Sequence, residues 1–380
     1  MTEPLRLMLW HWGRRGGGPR YTMELARVLA GRPGLELHLS LSRQSELFSR
    51  TDAVGVPSHH VDTYRDKATF VLRSPLLPII RQRFISYLKQ QRIDVVYNTM
   101  DFLWGAALAP AISRTGARYL LAVHDAERHP GEDGPVRRWL LTRDIAAADG
   151  AITLTDAVRE RLLAVHGFPA ERAWTTPLGV FLDAPAAKSR HLPVDRPVRL
   201  LFFGRVLPYK GLGMMLEAMP RIRAVLPDVE LEIWGSGDLA PYRDALACTE
   251  GVRLQHGWLD EDAIPGIFER TDICVLPYLE ASQSAVVATA LASGMPIVTT
   301  PISGLVEQIE GGRTGRIASD LSPQAFASAV LALASDPAAY ARLSQEAITI
   351  SRTSLSWGSI GDRVQEAATK LVELGPRNSR

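Results

Sequence analysis

Two cysteines, Cys248 and Cys274, are all the chain holds in 380 residues. They lack metal-ligand spacing, so neither a disulfide nor a cysteine zinc site is expected. No run of 18 or more apolar residues occurs, so no membrane-spanning helix is expected. The opening MTEPLRLMLWHW has an apolar stretch too short for a secretory leader, broken by His11, Trp12 and Arg14. A cytoplasmic location is the expectation. Neither a G-x-G-x-x-G fingerprint nor a P-loop is present, so neither mode of nucleotide binding has its signature. Aromatics make up 7% and form no platform interleaved with basic residues, so no nucleic-acid partner is expected.

What is present is the composition of a globular protein, 46% apolar and 22% charged, long enough for two ordinary domains. The net charge of +2 hides an asymmetry. Residues 1–190 carry 26 Lys and Arg against 19 Asp and Glu, and the remainder 17 against 22. A basic front half suits an anionic surface or ligand. Within it, LRSPLLPIIRQRFISYLKQQR sets Arg73, Arg81, Arg83, Lys89 and Arg92 among apolar residues. Two readings fit: a membrane-surface helix, or an amphipathic helix packed on its own domain, which the pattern favours.

Apolar runs alternate with helical patterns through both halves. Strands are expected at 5–10, 35–41, 93–99, 118–125 and 150–156, with helices at 21–31 and up to Gly167. Residues 183–197, rich in proline, alanine and charge, read as a linker. The alternation resumes with strands at 198–204, 229–235, 251–257, 271–278 and 296–300 and helices at 211–226 and 284–293. The fold class is α/β: parallel sheets covered on both faces, with ligands beyond the carboxyl ends of the strands.

The densest signal is LFFGRVLPYKGLGMMLEAM at 201–219. A strand stops at Gly204, Arg205 and Lys210 follow, and Gly211 and Gly213 open a helix. Free N–H groups at a helix start and two cations suit an anion. In the front half Gly16, Gly17 and Gly18 follow the first strand, where glycine admits a close backbone approach. His124 and Asp125 end a strand candidate, and His129 is less well placed. Glu280 follows another strand, and Ser282, Gln283 and Ser284 precede a small-residue helix closed by Gly294. Asp260 and Asp262 form a D-x-D pair, read as helix-capping acids and not as a metal site.

In order and spacing, GRVLPYKG, GSGDL, HGWL, PYLEASQSAVVATALASGMPIVTT and SGLVEQIEGGRTG resemble glycosyltransferase family 4. The glycine loop at 16–18, VHD at 123–125 and Trp357 add to the likeness, which covers nearly the whole chain. The resemblance implies a GT-B fold, two Rossmann-like domains with parallel sheets facing across a cleft. It implies an acceptor-binding domain at 1–185, a nucleotide-sugar-binding domain at 198–355, and a helix at 356–380 returning to the first domain. It further implies retaining, metal-independent transfer from a nucleotide sugar, UDP- or GDP-linked, with no other cofactor and no bound metal. The acceptor would be a glycan or a lipid-linked sugar, with peripheral contact at the inner membrane face. By analogy Arg205 and Lys210 hold the diphosphate, Glu280 contacts donor hydroxyls and His124 lies near the transferred sugar. Gly17, Gly18, Gly204, Gly235, Gly257, Trp258, Ser282, Gln283, Ser284, Ala285, Val286 and Thr289 would border the donor. One departure stands out. The family's second glutamate is replaced by Ala288, or by Thr289 when aligned back from Gly294. That departure keeps one alternative open, a catalytically weak sugar-nucleotide-binding partner protein, and the shared two-domain architecture keeps another, a sugar-nucleotide epimerase. A phosphorylase-like reading lacks any supporting motif.

Overall fold

In the computed structural model, residues 3–127, 134–181 and 188–377 are described, apart from the side chain of Glu261. His129 lies outside them. Two compact units divide the described residues, one holding those up to 177 and from 357 onward, the other those from 178 to 356.

The first unit runs β1 (Leu5–His11), α1 (Gly17–Leu29), β2 (Leu35–Leu41), α2 (Lys67–Arg73), α3 (Leu77–Gln90), β3 (Val95–Asn98), α4 (Gly105–Ile112), β4 (Arg118–Val123), α5 (Pro135–Ala147), β5 (Gly150–Thr153), α6 (Asp156–His166) and β6 (Ala173–Thr175). The strands form one parallel sheet in the order β2-β1-β3-β4-β5-β6. The alternation in LELHLSL does not mark a solvated face: six of the seven residues of β2 are buried, because helices cover a parallel sheet on both sides. Local chemistry sets the helix ends. The Asp66 carboxylate accepts from the Thr69 N–H at 2.8 Å and starts α2. Thr155 caps α6, which Gly167 closes at φ 56°.

The second unit runs β7 (Arg199–Phe203), α7 (Leu212–Val225), β8 (Glu230–Gly235), α8 (Arg243–Cys248), β9 (Val252–His256), α9 (Ile264–Arg270), β10 (Ile273–Leu276), α10 (Ala285–Ala292), β11 (Ile297–Thr299), α11 (Ser303–Gln308), β12 (Gly315–Ile317), α12 (Pro323–Ala334) and α13 (Pro337–Arg352). Its sheet, also parallel, has the order β12-β11-β10-β7-β8-β9. Strand periodicity divides its core. Ile273 and Val275 enter one apolar cluster with Met215, Ile222 and Phe326, while Cys274 and Leu276 enter the other with Val287 and Leu291. The chain then returns to the first unit as α14 (Trp357–Glu373), which packs on α1 and meets β4 and β5.

Two sequence readings need correction. Residues 188–197, expected within the linker, are fastened to the second unit. Arg190 donates to the carbonyls of Phe268 and Thr271, both at 2.7 Å, and Arg196 clamps Asp272 with two bonds of 2.7 Å. Asp260 and Asp262 do not cap α9. The N-cap of α9 is Ala263, with no side-chain cap, and the acids fall in and before a 3-10 turn at Glu261–Ala263. Proline at the start of α9 has no N–H to offer, which weakens the demand for a capping acceptor.

Candidate functional site

A parallel sheet that grows from one strand in both directions leaves a gap where its crossovers diverge, and ligand-facing groups gather there. In the second unit the chain leaves β7 for β8 and β9 on one side, then crosses to β10 and onward on the other. The gap lies between the carboxyl ends of β7 and β10. Lys210, in the turn after β7, donates from Nζ to the Tyr278 hydroxyl beyond β10 at 3.1 Å. Its ammonium would stand 3.3 Å from a Cβ added at Gly204, and Val286 of α10 3.8 Å from the same point. Ser284, the residue before α10, reaches the Tyr278 hydroxyl through Oγ at 3.4 Å. Gly204, Lys210, Ser284 and Val286, widely spaced in sequence, thus meet at one point.

The helix ends here are open. No side chain caps α7, whose N-cap residue is Gly211, or α10, whose N-cap residue is Ser284. Gln308 instead holds the Ser284 backbone, accepting its N–H at 2.7 Å and donating to its carbonyl at 3.3 Å. Two uncapped helix N-termini beside an ammonium form an anion-attracting site. The Lys210 charge reaches the sheet: burial pushes the Cys274 thiol up to about 12, and Lys210 pulls the other way. Gly211 cannot be replaced without strain. Its φ is 70°, and a Cβ would fall 1.8 Å from the Pro277 carbonyl oxygen.

The other expected residues fall at or near this mouth in different ways. Arg205 and Glu280 are exposed on loops after β7 and β10. Gly235 ends β8, where a Cβ would lie 1.8 Å from the Gly204 carbonyl oxygen, so loop packing alone requires glycine there. Gly257 follows β9 with open space around it, and Trp258 is 83% exposed. Ser282 is half-buried. Gln283 is half-buried too, and its amide oxygen is buried with no hydrogen-bond partner. Ala285 is exposed at the first turn of α10. Thr289 donates its hydroxyl to the Ala285 carbonyl at 3.1 Å, and Ala288 is buried. Among the described residues no group of three or more His, Cys, Asp or Glu could hold a metal ion.

The first unit has the same kind of gap between β1 and β3. The buried His11 closes β1 and donates through Nδ1 to the Met100 carbonyl at 3.1 Å. Its Nε2 faces the glycine loop: a Cβ at Gly13 would lie 2.2 Å away and at Gly18 2.4 Å. Burial lowers its pKa to about 4, so it is neutral at physiological pH. Gly16 needs its freedom for φ 85°, Gly18 for its closeness to His11, and Gly17 for neither, since a Cβ there meets only Met100 at 3.6 Å. His124 follows β4 and donates from Nε2 to the Thr99 carbonyl at 3.1 Å. The Thr99 hydroxyl meets that of Thr22 at 2.5 Å, and Thr22 donates to the Gly18 carbonyl at 2.8 Å. Hydrogen bonds thus tie the expected histidine to the expected glycine loop. The Tyr21 ring, between His124 and Trp357 at 6.1 and 5.5 Å, completes this corner.

Tyr278, His11 and Gln308 escaped the sequence reading. Each is identified by what the topology sets beside it, and only strand order could have pointed to them.

Two family models match the chain: Glycosyltransferase Family 4 over residues 15–184, and Glycosyl transferases group 1 over 197–336. Among curated relatives, glycogen synthase of Mycobacterium tuberculosis (strain ATCC 25618 / H37Rv) is 29% identical over 254 residues, 64% of this chain and 58% of that protein. The chain thus spans under two thirds of the length of that relative. The GDP-mannose-dependent alpha-(1-6)-phosphatidylinositol monomannoside mannosyltransferase of Mycolicibacterium smegmatis is 28% identical, covering 69% of this chain and 72% of that one. Among solved structures, Anabaena HepE in complex with UDP and glucose superposes with a TM-score of 0.69 at 16% identity, over 97% of this chain and 100% of that one. That likeness shows the fold, two six-stranded parallel sheets of the GT-B class.

Proposed function

We propose that this chain, which belongs to glycosyltransferase family 4, transfers a hexosyl group with retention from a UDP- or GDP-linked donor to a glycan or lipid-linked acceptor, without a metal ion. One observation carries the reading. Lys210 sits on Tyr278 at the switch point of the second sheet, between two uncapped helix starts. Breaking the bond from the anomeric carbon to the diphosphate builds negative charge on the leaving phosphate. Fixed cations and helix N–H groups stabilise that charge with no reorganisation at the moment of reaction. Arg205, exposed after Gly204, adds a guanidinium suited to phosphate oxygens. The acceptor attacks the face the diphosphate leaves, and the departing phosphate takes its proton. The unpartnered amide oxygen of Gln283 then finds a donor hydroxyl or base N–H. His124, its Nε2–H committed to Thr99, presents Nδ1 as an acceptor for a sugar hydroxyl. A cytoplasmic setting, where nucleotide sugars are made, suits this chemistry.

A thermal-shift series with UDP, GDP, ADP and their sugars identifies the donor, because a ligand of the native state raises its stability. Lys210→Ala is expected to lower turnover at least about a hundredfold, on the scale of a lost oxyanion donor. Near-wild-type turnover in a folded Lys210→Ala protein removes the proposed mechanism. A second reading, a binding protein with weak turnover, draws on the buried Ala288 and on Thr289, whose hydroxyl is spent on its own helix. Nucleotide binding without transfer across a broad acceptor panel would favour it.

A further inference from the structure

Many helix starts are fixed by a side chain that accepts from the first turn, and α10 has none. What restrains it is α11. Near one end of α11, Gly304 presses on the loop before α10. A Cβ there would lie 2.2 Å from the Ser282 carbonyl oxygen and 3.0 Å from that of Ala281. At the other end the Gln308 amide accepts the Ser284 N–H at 2.7 Å and donates to the Ser284 carbonyl at 3.3 Å. A primary amide carries an acceptor and a donor side by side, which matches the N–H and C=O of one residue. Both bonds go to Ser284. Neither is spent on the first-turn N–H groups of Ala285 and Val286, so the helix start keeps its partial positive charge.

From Ser284 the contacts run on to the cation. Its Oγ lies 3.4 Å from the Tyr278 hydroxyl, which accepts from Lys210 Nζ at 3.1 Å. The ammonium also stands 5.0 Å from the centre of the Tyr278 ring, and the Tyr278 carbonyl accepts from the buried Thr300 hydroxyl at 2.5 Å. A series of contacts through Gln308, Ser284, Tyr278 and Lys210 therefore leads from α11 to the switch point. Satisfying two backbone groups is reason enough for an amide in folding. The series adds a second consequence: a shift of Ser284 moves the helix start and the tyrosine together.

We propose that Gln308 is a positioning residue for transfer. It fixes the α10 start and, through Ser284 and Tyr278, the Lys210 ammonium where negative charge builds on the leaving diphosphate. Preorganised groups of this kind act on the transition state more than on the bound donor, and a displacement of about 1 Å can cost about a hundredfold in rate. The proposal rests on the donor reading above and gives a role to a side chain that acts only through others.

Two variants of the full chain, Gln308→Glu and Gln308→Met, test it with the nucleotide sugar that the wild type turns over, from about pH 8 to about pH 5. The glutamate carboxylate accepts the Ser284 N–H but turns its second oxygen on the Ser284 carbonyl. Protonated, it is isosteric with the amide, and its O–H donates where the Nε2–H did. Methionine makes neither bond and carries no charge, so a loss shared by both variants is not repulsion of the diphosphate. Relative to the wild type at the same pH, kcat of both variants should be at least about tenfold lower at about pH 8, with donor KM within about twofold. The glutamate variant should regain at least about fivefold towards pH 5, because the facing carbonyl favours its protonated form, and the methionine variant nothing. Melting at each pH gives the folded fraction, and the protonated glutamate supplies a folded variant if methionine destabilises the loop. A folded variant with wild-type kcat overturns the proposal. So does a loss confined to KM, or a glutamate profile parallel to that of the wild type. Absence of turnover in the wild type with every nucleotide sugar removes the donor reading and this role with it. Turnover unaffected by either substitution removes this role alone.

Discussion

The two units share a sheet plan and differ in what each sets at its switch point. The second places a cation there, an ammonium on a tyrosine hydroxyl between open helix starts. The first places a neutral imidazole, buried and roofed by glycine backbone. Its positive charge is instead carried on the outside, along α2–α3. One plan therefore yields a charged switch point in the second unit and a neutral, closed one in the first.

Ionisation sharpens the contrast most strongly. Two buried groups in the first unit have shifted pKa values with opposite effects on stability. Asp144 accepts from the Tyr119 hydroxyl at 2.7 Å, and burial raises its pKa from 3.8 to about 7. The folded state thus holds this proton more tightly than the unfolded chain, and stability falls as pH rises from about 4 to about 7, by up to about 4 kcal/mol. His11, lowered from 6.5 to about 4, takes up a proton more readily when unfolded. Its contribution is present above about pH 6.5 and is lost as pH falls towards 4, by up to about 3 kcal/mol. The two slopes nearly cancel in the wild type. Asp144→Asn keeps an acceptor for Tyr119 and should expose the histidine slope, with stability climbing from pH 4 to 6.5 and exceeding wild type at pH 8. Denaturant unfolding across that range checks it. A flat profile in the variant would mean that His11 is solvated.

Glycines give the next two effects. Gly211→Ala must take a left-handed backbone and meet a peptide carbonyl, a cost of about 3 kcal/mol in the second unit. Gly18→Ala meets the far end of an imidazole ring, which can tilt, so the cost should be about 2 kcal/mol, confined to the first unit. Equal costs would show that the His11 ring is held as rigidly as backbone. Chevron or equilibrium unfolding of the two variants measures both.

The sequence was readable wherever one physical signal acted alone. The strand at 35–41 and the glycine stop at 167 follow from alternation and from αL geometry. The three-residue strands β6 and β12 carry too few residues to show a period. Residues 67–90 read as a helix packed on its own domain, and Phe84 and Leu88 do enter the core; that Val71, Leu72 and Ile79 stay exposed is visible only in the burial. Lys210 stood out as a cation in a glycine turn. Its partner Tyr278 did not, since a tyrosine ending a strand becomes informative only once β10 is known to lie beside β7. The acids at 260 and 262 resembled caps because sequence shows a charge near a helix and not the turn that intervenes.

Gly17 gives the smallest effect on stability and the finest test of the comparison. Sequence cannot tell it from Gly16 or Gly18, and the structure can. It has ordinary backbone angles, opens α1, and a Cβ there makes only a van der Waals contact with Met100. Folding alone gives no reason for glycine, and alanine should leave stability unchanged or raise it by a few tenths of a kcal/mol. If the loop borders a ligand, the added methyl falls where that ligand approaches. Gly17→Ala should then melt with the wild type yet lose transfer activity or acceptor affinity at least about tenfold, a difference of 1.4 kcal/mol. Wild-type activity in this variant would leave the glycine loop a device for housing His11, and the neutral switch point of the first unit would have no part in binding.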